Sequence, residues 1–485
     1  CLFSLSSTHA RRNPIKRERV RPSLRARGRM DPWGNVPNAV FRLIPDSYST
    51  LLARPPPPSP DAPSQKLTDE RKRNEDTGSG QIPHMDHSQM TPKLFSGYME
   101  RNEPIVIHGL PQDWKSFKEW NKPEDETRIG TAALDQLKSE FGKSNVCVAI
   151  CSEKHFSDQK RINMRFADYI ELWKSGEARR RKMYVKDWHF PREYPEYNAY
   201  NVPEHFRDDW MNRYATETGS DDFRFLYIGP EGTWTPLHRD VYCSYSWSAN
   251  VVGYKLWILF PPSATSHLVD KTGNCVYNIS DTKTAKEKRF QESFSHFKEA
   301  IAQRRMVLQP PDSVIFVPSG WYHQVYNITD VISINHNWFN GWSLPRVFKH
   351  MQDEMQIAKE TLEGFQFDSF TELNINSNQE RKKPEVDTNA VQQLMKANTG
   401  IDCRGFVDLL CFASDWKLND LTRLELQEHG WKHKSAAHAL SQLETILSEI
   451  EKCWAKSIDK TRLSKLNNVR TKICSFLKNV ITKSS

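Results

Sequence analysis

Residues 233–262 read TWTPLHRDVYCSYSWSANVVGYKLWILFPP, a stretch of aromatic, small and β-branched residues that is typical of buried strands. It nevertheless contains His238 and Asp240, two residues apart, and Lys255 within an apolar run. Burying an ionisable group is costly unless another group pairs with it. Each of these three side chains is therefore expected to have a partner.

Short apolar strands separated by turn residues continue from 223 to 340. Regularly spaced short strands predict a sandwich or a barrel. A polar insertion at 263–305 interrupts this pattern, and the sequence leaves its role open. Upstream, 143–152 and 183–190 have the composition of strands, and 166–176 has helical spacing that ends at a glycine.

After Asn340 the apolar spacing becomes helical, over 347–362 and again over 440–450. The polar stretch 374–390 separates these two helical regions. The sequence thus predicts three parts, which are a disordered, basic and Pro-rich leader (1–88), a catalytic domain (89–345, with its barrel core from about 216) and a C-terminal helical region (346–485). The last part would pack on the barrel or join two chains into a homodimer.

The positive charge of the chain lies in the predicted leader. Segment 1–29 has nine Lys or Arg and one acid, so its net charge equals the +8 of the whole chain, and residues 30–485 sum to zero. The folded part is therefore not expected to bind nucleic acid directly. Because the sequence opens on Cys1, we expect translation to start at one of three methionines: Met30, Met85 or Met90.

The nine cysteines show no recurring CxxC pairs, which argues against zinc fingers and against a disulfide framework. Unpatterned cysteines are typical of a reducing compartment. No apolar run approaches the roughly 20 residues of a membrane-spanning helix. We therefore expect a cytoplasmic protein, with nuclear residence as a further option, and no membrane association.

His238 and Asp240 would share one face of a strand, because alternate side chains of a strand point the same way. His323, in PDSVIFVPSGWYHQVYN, lies far enough along the chain to return on a neighbouring strand. Two His and one carboxylate on one face can bind non-haem iron and leave positions open for dioxygen and a co-substrate. Zinc sites use similar ligands, so this set alone does not fix the metal.

Lys255 begins an apolar strand, where it would either extend to water or lie inside the barrel. A dicarboxylate such as 2-oxoglutarate, bound to the metal at its keto-acid end, would need a cation and a hydroxyl at its far carboxylate. Lys255 could supply the cation. Thr235, three residues before His238, could supply the hydroxyl.

The motifs GTWTPLHRD, SWSANVVGYKLWILFPP, FVPSGWYHQVYN and ISINHNW resemble the JmjC family of Fe(II)- and 2-oxoglutarate-dependent oxygenases, over roughly residues 95–345. The resemblance implies a mostly β fold with α, a double-stranded β-helix (the cupin-like jelly roll) with flanking helices. The chain is most similar to the hydroxylase branch associated with lysyl hydroxylation of the eukaryotic translation release factor. That similarity implies a protein substrate and a role in translation termination.

The resemblance also implies roles for individual residues. His238, Asp240 and His323 match the iron triad, and Lys255 and Thr235 match the contacts to the far carboxylate of 2-oxoglutarate, with O2 as the other co-substrate. Three further residues match positions near the cosubstrate or facing the pocket: Tyr184, Asn335 and Asn337.

One position departs from the family pattern. Relatives often have Asn where this chain has Ser248, which puts that cosubstrate contact in question. Tryptophans flanking the ligands are expected to form the dry wall of the pocket: Trp234, Trp247 and Trp321. His336 alternates with its Asn neighbours, so it should face away from them, in a core or surface role and not as a metal ligand.

Other functions stay open at this point. A histone lysine demethylase or an RNA hydroxylase of the same superfamily would use the same iron chemistry. A catalytically silent barrel that serves as an interaction module would be favoured by a lost ligand, and none is lost. A zinc-dependent cupin is disfavoured by Lys255.

Overall fold

The computed structural model describes residues 38–44, 81–125, 127–373, 386–424 and 431–484. Its strands, in chain order, are β1 His84–Asp86, β2 Ile105–His108, β3 Asn145–His155, β4 Asp158–Arg165, β5 Met183–Trp188, β6 Arg224–Gly229, β7 Trp234–His238, β8 Tyr245–Val252, β9 Lys255–Phe260, β10 Arg305–Gln309, β11 Ser313–Val317, β12 Tyr322–Asn327 and β13 Val331–Trp338.

The strands form two sheets. The major sheet has nine strands in the order β1-β2-β11-β8-β13-β6-β5-β3-β4, and the minor sheet has four in the order β10-β9-β12-β7. From β6 to β13 the chain alternates between the two sheets, except that β9 and β10 both lie in the minor sheet, so the two sheets close over one another as a jelly roll. The predicted cupin-like fold with flanking helices is confirmed.

The α-helices, in chain order, are α1 Asn38–Leu43, α2 Pro92–Arg101, α3 Lys115–Trp120, α4 Thr131–Phe141, α5 Phe166–Lys174, α6 Glu177–Arg180, α7 Phe190–Glu193, α8 Trp210–Thr218, α9 Thr265–Leu268, α10 Lys288–Ser293, α11 Phe297–Gln303, α12 Leu344–Leu373, α13 Thr388–Thr399, α14 Cys403–Leu424, α15 Trp431–Trp454 and α16 Lys460–Ser484. No helix in these ranges combines the length and the apolarity that crossing a membrane requires.

Strand β8 shows how the sequence positions the site. All eight of its residues are buried, yet its faces differ in character. Trp247, Ala249 and Val251 belong to the large apolar cluster that the N-terminal helices share with this sheet. Because alternate side chains of a strand point to opposite faces, Ser246 and Ser248 point into the barrel instead. The major sheet thus turns an apolar face to the helices and a polar face to the interior.

The minor sheet closes the other side of the barrel with apolar side chains. Val325, Trp257 and Leu259 pack with Trp321 in one buried cluster, which β10 and β11 complete. Trp257 is 3% exposed, and Leu259 is fully buried. The interior therefore combines one buried apolar cluster, to which both sheets contribute, with polar side chains from both sheets, and this arrangement can hold a polar molecule away from water.

The predicted helical spacing over 347–362 and 440–450 falls within α12 and α15. The C-terminal helices bury a second apolar cluster of their own, and Trp210 and Phe339 from the barrel side belong to it. Among the described residues of these helices, Ile357 is the exposed large hydrophobic side chain. The polar stretch expected between the helical regions lies largely outside the described residues, at 374–385.

Two pieces of regular structure lie within the predicted leader. Helix α1 fully buries Val40, and β1 pairs in parallel with β2. The remainder of 1–80 lies outside the described residues. The domain boundaries stay a prediction.

The insertion at 263–305 packs beside the strands that carry the candidate ligands. The amide N of Leu237, on β7, donates to the carbonyl of Tyr277 (3.2 Å). The side-chain oxygen of Gln324, on β12, accepts a hydrogen bond from the amide N of Ile279 (3.0 Å). The insertion therefore braces β7 and β12 from outside the barrel.

Candidate active site

His238 and His323 lie opposite each other across the antiparallel ladder of β7 and β12. Nδ1 of His238 is 2.8 Å from the carbonyl oxygen of Pro236, and Nδ1 of His323 is 3.1 Å from that of Trp321. A carbonyl accepts only, so each Nδ1 carries the proton and each Nε2 keeps its lone pair for a metal. Burial, followed by the nearby His323, lowers the pKa of His238 to about 4, which favours the neutral form that binds metals.

Asp240 follows the end of β7 and begins a tight turn, Val241–Cys243. Its Oδ2 lies 4.0 Å from Nε2 of His323 and accepts a hydrogen bond from Ser246 Oγ (2.7 Å). Ligand atoms of His238, Asp240 and His323 all lie within 4.8 Å of one another. The structure thus brings the three predicted ligands together at one end of the barrel.

The turn after Asp240 is strained. Tyr242 and Cys243 both have positive φ (56° and 55°), a conformation that non-glycine residues rarely adopt. The Tyr242 ring packs among the C-terminal helices and lies against Phe223, with centroids 5.6 Å apart. Ser319 Oγ donates to the carbonyl of Cys243 (2.5 Å). The surrounding structure therefore holds the turn that carries Asp240 in place.

Helix α12 also contacts the ligand segment. Nη2 of Arg239, the residue between His238 and Asp240, donates to Nδ1 of His350 on α12 (3.3 Å). His350 lies 3.7 Å from the carboxylate of Glu354, one turn along the helix. The C-terminal region thus reaches the residues that flank the metal ligands.

A β-bulge explains how Thr235 and His238 share the interior face although they are three residues apart. Val325 pairs with Thr235 and His323 with His238, so β7 has one residue more than β12 between these pairs. In a regular strand, residues three apart would point to opposite faces. Pro236 lies in the bulge, where a missing N–H is tolerated. Thr235, half-buried, therefore shares the face of Val325 and of the apolar interior cluster.

Lys255 lies inside the barrel. It is 2% exposed, and its Nζ donates to Ser333 Oγ (2.5 Å). Burial, and to a lesser degree the charge of Lys186, lowers the pKa of Lys255 to about 7. No carboxylate among the described residues lies within ion-pair distance of this amine. Of the two options for Lys255, the structure therefore shows the interior one.

The structure places the remaining candidates at different levels of the barrel. Asn335 and Ser248 pair across β13 and β8, and Ser248 Oγ donates to Asn335 Oδ1 (3.0 Å). Asn337 lies opposite Ser246, at the level of the metal ligands. Tyr184 is buried against Cys151 and Trp234 and shares a hydrogen bond with Asn327, which pairs with Lys255. Ser248, where the family pattern is broken, therefore still faces the pocket.

The tryptophan prediction was right in part. Trp321 belongs to the interior apolar cluster, and Trp234 packs on Tyr184. Trp247 points the other way, into the cluster beneath the helices, because it alternates with the inward-facing serines of β8. It stacks there on His336 (ring centroids 4.1 Å apart), which is 1% exposed and therefore serves packing, the core role of the two expected.

Three residues of the site were missed by the sequence reasoning. Ser246 holds Asp240, Ser333 holds Lys255, and Lys186 on β5 is buried near both His238 and Lys255. A polar residue that alternates with apolar ones in a buried strand is the signal that would have identified them. Each was hidden because both faces of these strands are buried.

The site fits an Fe(II) ion and 2-oxoglutarate. Two neutral imidazoles and one carboxylate are the donor set of non-haem iron oxygenases, and hydrogen bonds to carbonyls or a hydroxyl orient all three. A buried lysine without an acidic partner among the described residues is the complement of a dicarboxylate's far end. The apolar cluster in the barrel interior keeps water out.

Comparison with known proteins agrees with this chemistry. A family model described as a Cupin-like domain matches residues 91–342. The chain is 36% identical over 326 residues to 2-oxoglutarate and iron-dependent oxygenase JMJD4 of Danio rerio, which covers 66% of this chain and 71% of that protein. It is 34% identical over 296 residues to JMJD4 of Homo sapiens (58% and 68%).

A further relative carries a different name. The chain is 34% identical over 401 residues to Arginine-specific demethylase JMJ20 of Arabidopsis thaliana, which covers 77% of this chain and 79% of that protein. The predicted cofactors, Fe(II) and 2-oxoglutarate, are confirmed by the relatives, and so is the prediction of an enzyme. The chain belongs to the JmjC family of cupin-like Fe(II)- and 2-oxoglutarate-dependent oxygenases.

Proposed function

We propose that the protein hydroxylates a lysine side chain of the translation release factor and thereby promotes translation termination. The observation that carries the chemistry is the cluster of His238, Asp240 and His323 in the same barrel as the buried Lys255. The similarity of motifs such as KDWH (186–189) and FVPSGWYHQVYN to the hydroxylase branch supports the substrate.

In this reaction the chain holds and orients, and the bound iron supplies the chemistry. Iron with 2-oxoglutarate and dioxygen supplies oxidation of an unactivated C–H bond, coupled to decarboxylation of the cosubstrate. His238, Asp240 and His323 would hold the metal from one side, which leaves its other positions for cosubstrate and dioxygen. The hydrogen bonds to the two imidazoles and to the carboxylate of Asp240 would orient these three groups toward the metal.

The pocket residues would orient the cosubstrate. Lys255, supported by Ser333, would pair with the far carboxylate, and Thr235 on the same face of the minor sheet would add a hydroxyl. Trp257, Val325 and Trp321 exclude water from that wall. Charged hydrogen bonds are stronger in such a dry site than at the surface.

Arginine demethylation is a second candidate, because the relative from Arabidopsis thaliana is named an arginine-specific demethylase. A relative from Caenorhabditis briggsae, 24% identical, is named a bifunctional arginine demethylase and lysyl-hydroxylase. Both activities begin with oxidation of a C–H bond, so the same metal site serves either. The substrate side chain and the fate of the hydroxylated carbon distinguish them.

The test is mass spectrometry of substrates incubated with the protein, Fe(II), ascorbate and 2-oxoglutarate. We expect a release-factor lysine to gain one oxygen atom, with none gained in the matched Asp240→Ala variant. Loss of methyl groups from methyl-arginine peptides, with the release factor unmodified, would overturn the proposal in favour of demethylation. Methyl-lysine histone peptides and RNA serve as further substrates in the same assay.

We propose cytoplasmic residence, where translation terminates, with a nuclear pool in addition. The cysteines of the described chain are all free, which supports a reducing compartment. Homodimerisation through the C-terminal helices stays a prediction. The large hydrophobic side chain that they expose in the described ranges is Ile357, and exposed residues scattered singly are normal for a water-facing surface.

A further inference from the structure

Gln309 is a fully buried amide inside the barrel. It ends β10 and shares the face of Val307, a member of the apolar cluster in the interior. Its Nε2 donates to the carbonyls of Ser248 (2.8 Å) and Ser313 (3.1 Å), and its Oε1 accepts a hydrogen bond from Nε1 of Trp257 (2.7 Å). A buried amide is unfavourable unless its polar atoms are bonded, and here both N–H groups and the oxygen are used.

These partners fix which way round the amide lies. An indole N–H only donates and a backbone carbonyl only accepts, so the amide oxygen faces Trp257 and the nitrogen faces the two carbonyls. Ser248 and Ser313 belong to the major sheet, on β8 and β11, whereas Trp257 belongs to the minor sheet, on β9. One side chain thus connects the indole of Trp257 to the backbone of the opposite sheet.

Trp257 lies between the metal ligands and Lys255. Its ring centroid is 5.6 Å from that of His323, with the ring planes 35° apart, and Nζ of Lys255 is 5.9 Å from the Trp257 ring. Strand pairing agrees, because Trp257 is opposite Val325 and Val325 is opposite Thr235. The indole therefore borders the space that a cosubstrate would fill between the metal and the lysine.

Burial alone does not explain the bond between Gln309 and Trp257. In the described ranges, buried tryptophans elsewhere leave the indole N–H without a hydrogen-bond partner: Trp120, Trp247, Trp338 and Trp454. The fold thus tolerates an unpaired indole N–H. At Trp257 a second buried polar side chain is present instead, and Gln309 is opposite Lys255 in the β9–β10 ladder. Because burying an amide costs desolvation, the arrangement points to a need for a fixed indole at this position.

We propose that Gln309 is a positioning residue for the cosubstrate, which acts through Trp257. The hydrogen bond fixes the plane of the indole, and the fixed indole keeps the space between the metal ligands and Lys255 in the shape that 2-oxoglutarate fills. Without Gln309, the ring would have to be ordered when the cosubstrate binds, which costs binding free energy. The inference rests on the cosubstrate of the family and not on the identity of the hydroxylated protein, so a binding experiment without a protein substrate tests it separately.

The experiment measures dissociation constants by calorimetry for the full chain loaded with Mn(II) under oxygen-free conditions. Gln309→Met removes the amide and keeps an unbranched side chain of similar length. We expect it to weaken 2-oxoglutarate binding about two- to tenfold, the cost of ordering one side chain on binding, and to leave Mn(II) binding unchanged. Unchanged 2-oxoglutarate binding in this variant would overturn the inference.

A double-mutant cycle with Trp257→Phe tests whether Gln309 acts through the indole. A phenylalanine side chain has no N–H, so the bond to Gln309 is already absent in that background. Gln309→Met should therefore weaken 2-oxoglutarate binding in the wild type and add no further loss in Trp257→Phe. Equal weakening in the two backgrounds would show that Gln309 acts through its bonds to the major sheet, and the inference would be wrong.

A direct readout is the indole N–H of Trp257 in the metal-free protein. In nuclear magnetic resonance spectra with nitrogen-15-labelled tryptophan, Trp257→Phe identifies this signal by removing it. The signal should move upfield in Gln309→Met, because the N–H loses its acceptor. A signal that stays in place would contradict a role for the hydrogen bond.

A matched variant separates this role from loss of stability. Gln392, on α13, is also a buried glutamine, and its Oε1 accepts a hydrogen bond from the amide N of Cys403 (2.8 Å). Gln309→Met and Gln392→Met should both lower the melting temperature, but only Gln309→Met should weaken 2-oxoglutarate binding. The same loss of binding in both variants would assign the effect to stability and would also overturn the inference.

Discussion

The imidazoles of His238 and His323 lie with their ring centroids 4.2 Å apart across the β7–β12 ladder, and each directs Nδ1 to the carbonyl two residues before it. The same kind of contact, from Nδ1 to a backbone carbonyl two residues earlier, thus orients both rings. Because each backbone segment fixes its own ring, the pair is preorganised before any metal binds. Asp240 completes the set from the turn that follows β7.

The first prediction concerns metal binding. Mn(II) at about a hundred times its dissociation constant should stabilise the wild type by about 2.7 kcal/mol, seen as a rise in melting temperature. His238→Ala should abolish this rise and the release of succinate from 2-oxoglutarate, while its far-ultraviolet circular dichroism stays unchanged. A metal-dependent rise of the same size in His238→Ala would show that the ion binds elsewhere.

The second prediction concerns pH. Burial and the charge of Lys186 lower the pKa of Lys255 to about 7, so the free protein loses this cation as the pH rises through neutrality. Affinity for 2-oxoglutarate should therefore be constant below about pH 7 and fall by up to tenfold per pH unit above it. Calorimetric titrations across this range measure the slope. Lys255→Met should bind weakly with no such dependence, and a wild-type slope of zero would contradict the assignment.

The lowered pKa of Lys255 also makes the stability of the fold depend on pH. Stability should rise with pH, whereas the affinity for 2-oxoglutarate falls. Its folded-state pKa lies below its ordinary value of 10.5, so the unfolded chain binds the proton more tightly. The contribution of this group to stability is unfavourable below about pH 7 and disappears as the pH rises toward 10.5. Lys255→Met should therefore raise the free energy of unfolding at neutral pH, as measured by urea denaturation. A lower free energy of unfolding in this variant would count against the unpaired, buried state of the amine.

The third prediction concerns Gly253, in the turn that leads to Lys255. Gly253 has a φ of +81°, and a Cβ atom there would lie 1.9 Å from the carbonyl oxygen of Asp330. Gly253→Ala should destabilise the fold by about 3 kcal/mol or more, since strain and overpacking add. Gly176→Ala is the matched control, because Gly176 has a φ of +80° and nothing within 4 Å of a Cβ atom. It should lose only about 1–2 kcal/mol, and equal losses in the two variants would show that the backbone angle alone matters.

The fourth prediction concerns Tyr242 in the strained turn after Asp240. Tyr242→Ala removes the ring from the C-terminal cluster but keeps the unfavourable backbone angle. It should lower the free energy of unfolding by about 2–4 kcal/mol and weaken Mn(II) binding, because the turn positions a metal ligand. Tyr242→Phe should behave as the wild type. If Tyr242→Ala lowered stability and left Mn(II) affinity unchanged, the ring would serve packing alone.

The set of metal ligands could be predicted from the sequence because His238 and Asp240 are local neighbours and His323 follows a recognisable Ser-Gly turn. The barrel could be predicted because short strands alternate with turn residues. Thr235 is different. Its place beside His238 depends on a bulge, and a register shift is set by strand pairing and not by spacing along one strand.

Lys186 and Trp247 show a second limit of predicting the site from the sequence. Both lie on strands that are buried on both faces, so almost every residue of these strands is buried and the sequence does not show which face is which. Which face looks into the cavity is then decided by the layer of helices on one side. The tryptophan was consequently assigned to the wrong face, and the lysine was passed over.

Tyr242 and Arg239 connect the C-terminal helices to the turn that bears Asp240. This contact should couple the stability of the helices to metal binding. Coupling between two sites is reciprocal, so helices that steady the turn for the metal are themselves steadied when the metal is bound. Hydrogen exchange should then slow within Leu344–Leu373 and Thr388–Thr399 on metal loading, although neither helix supplies a ligand of the triad. The helical region would in this way report on the occupancy of a centre that it does not touch.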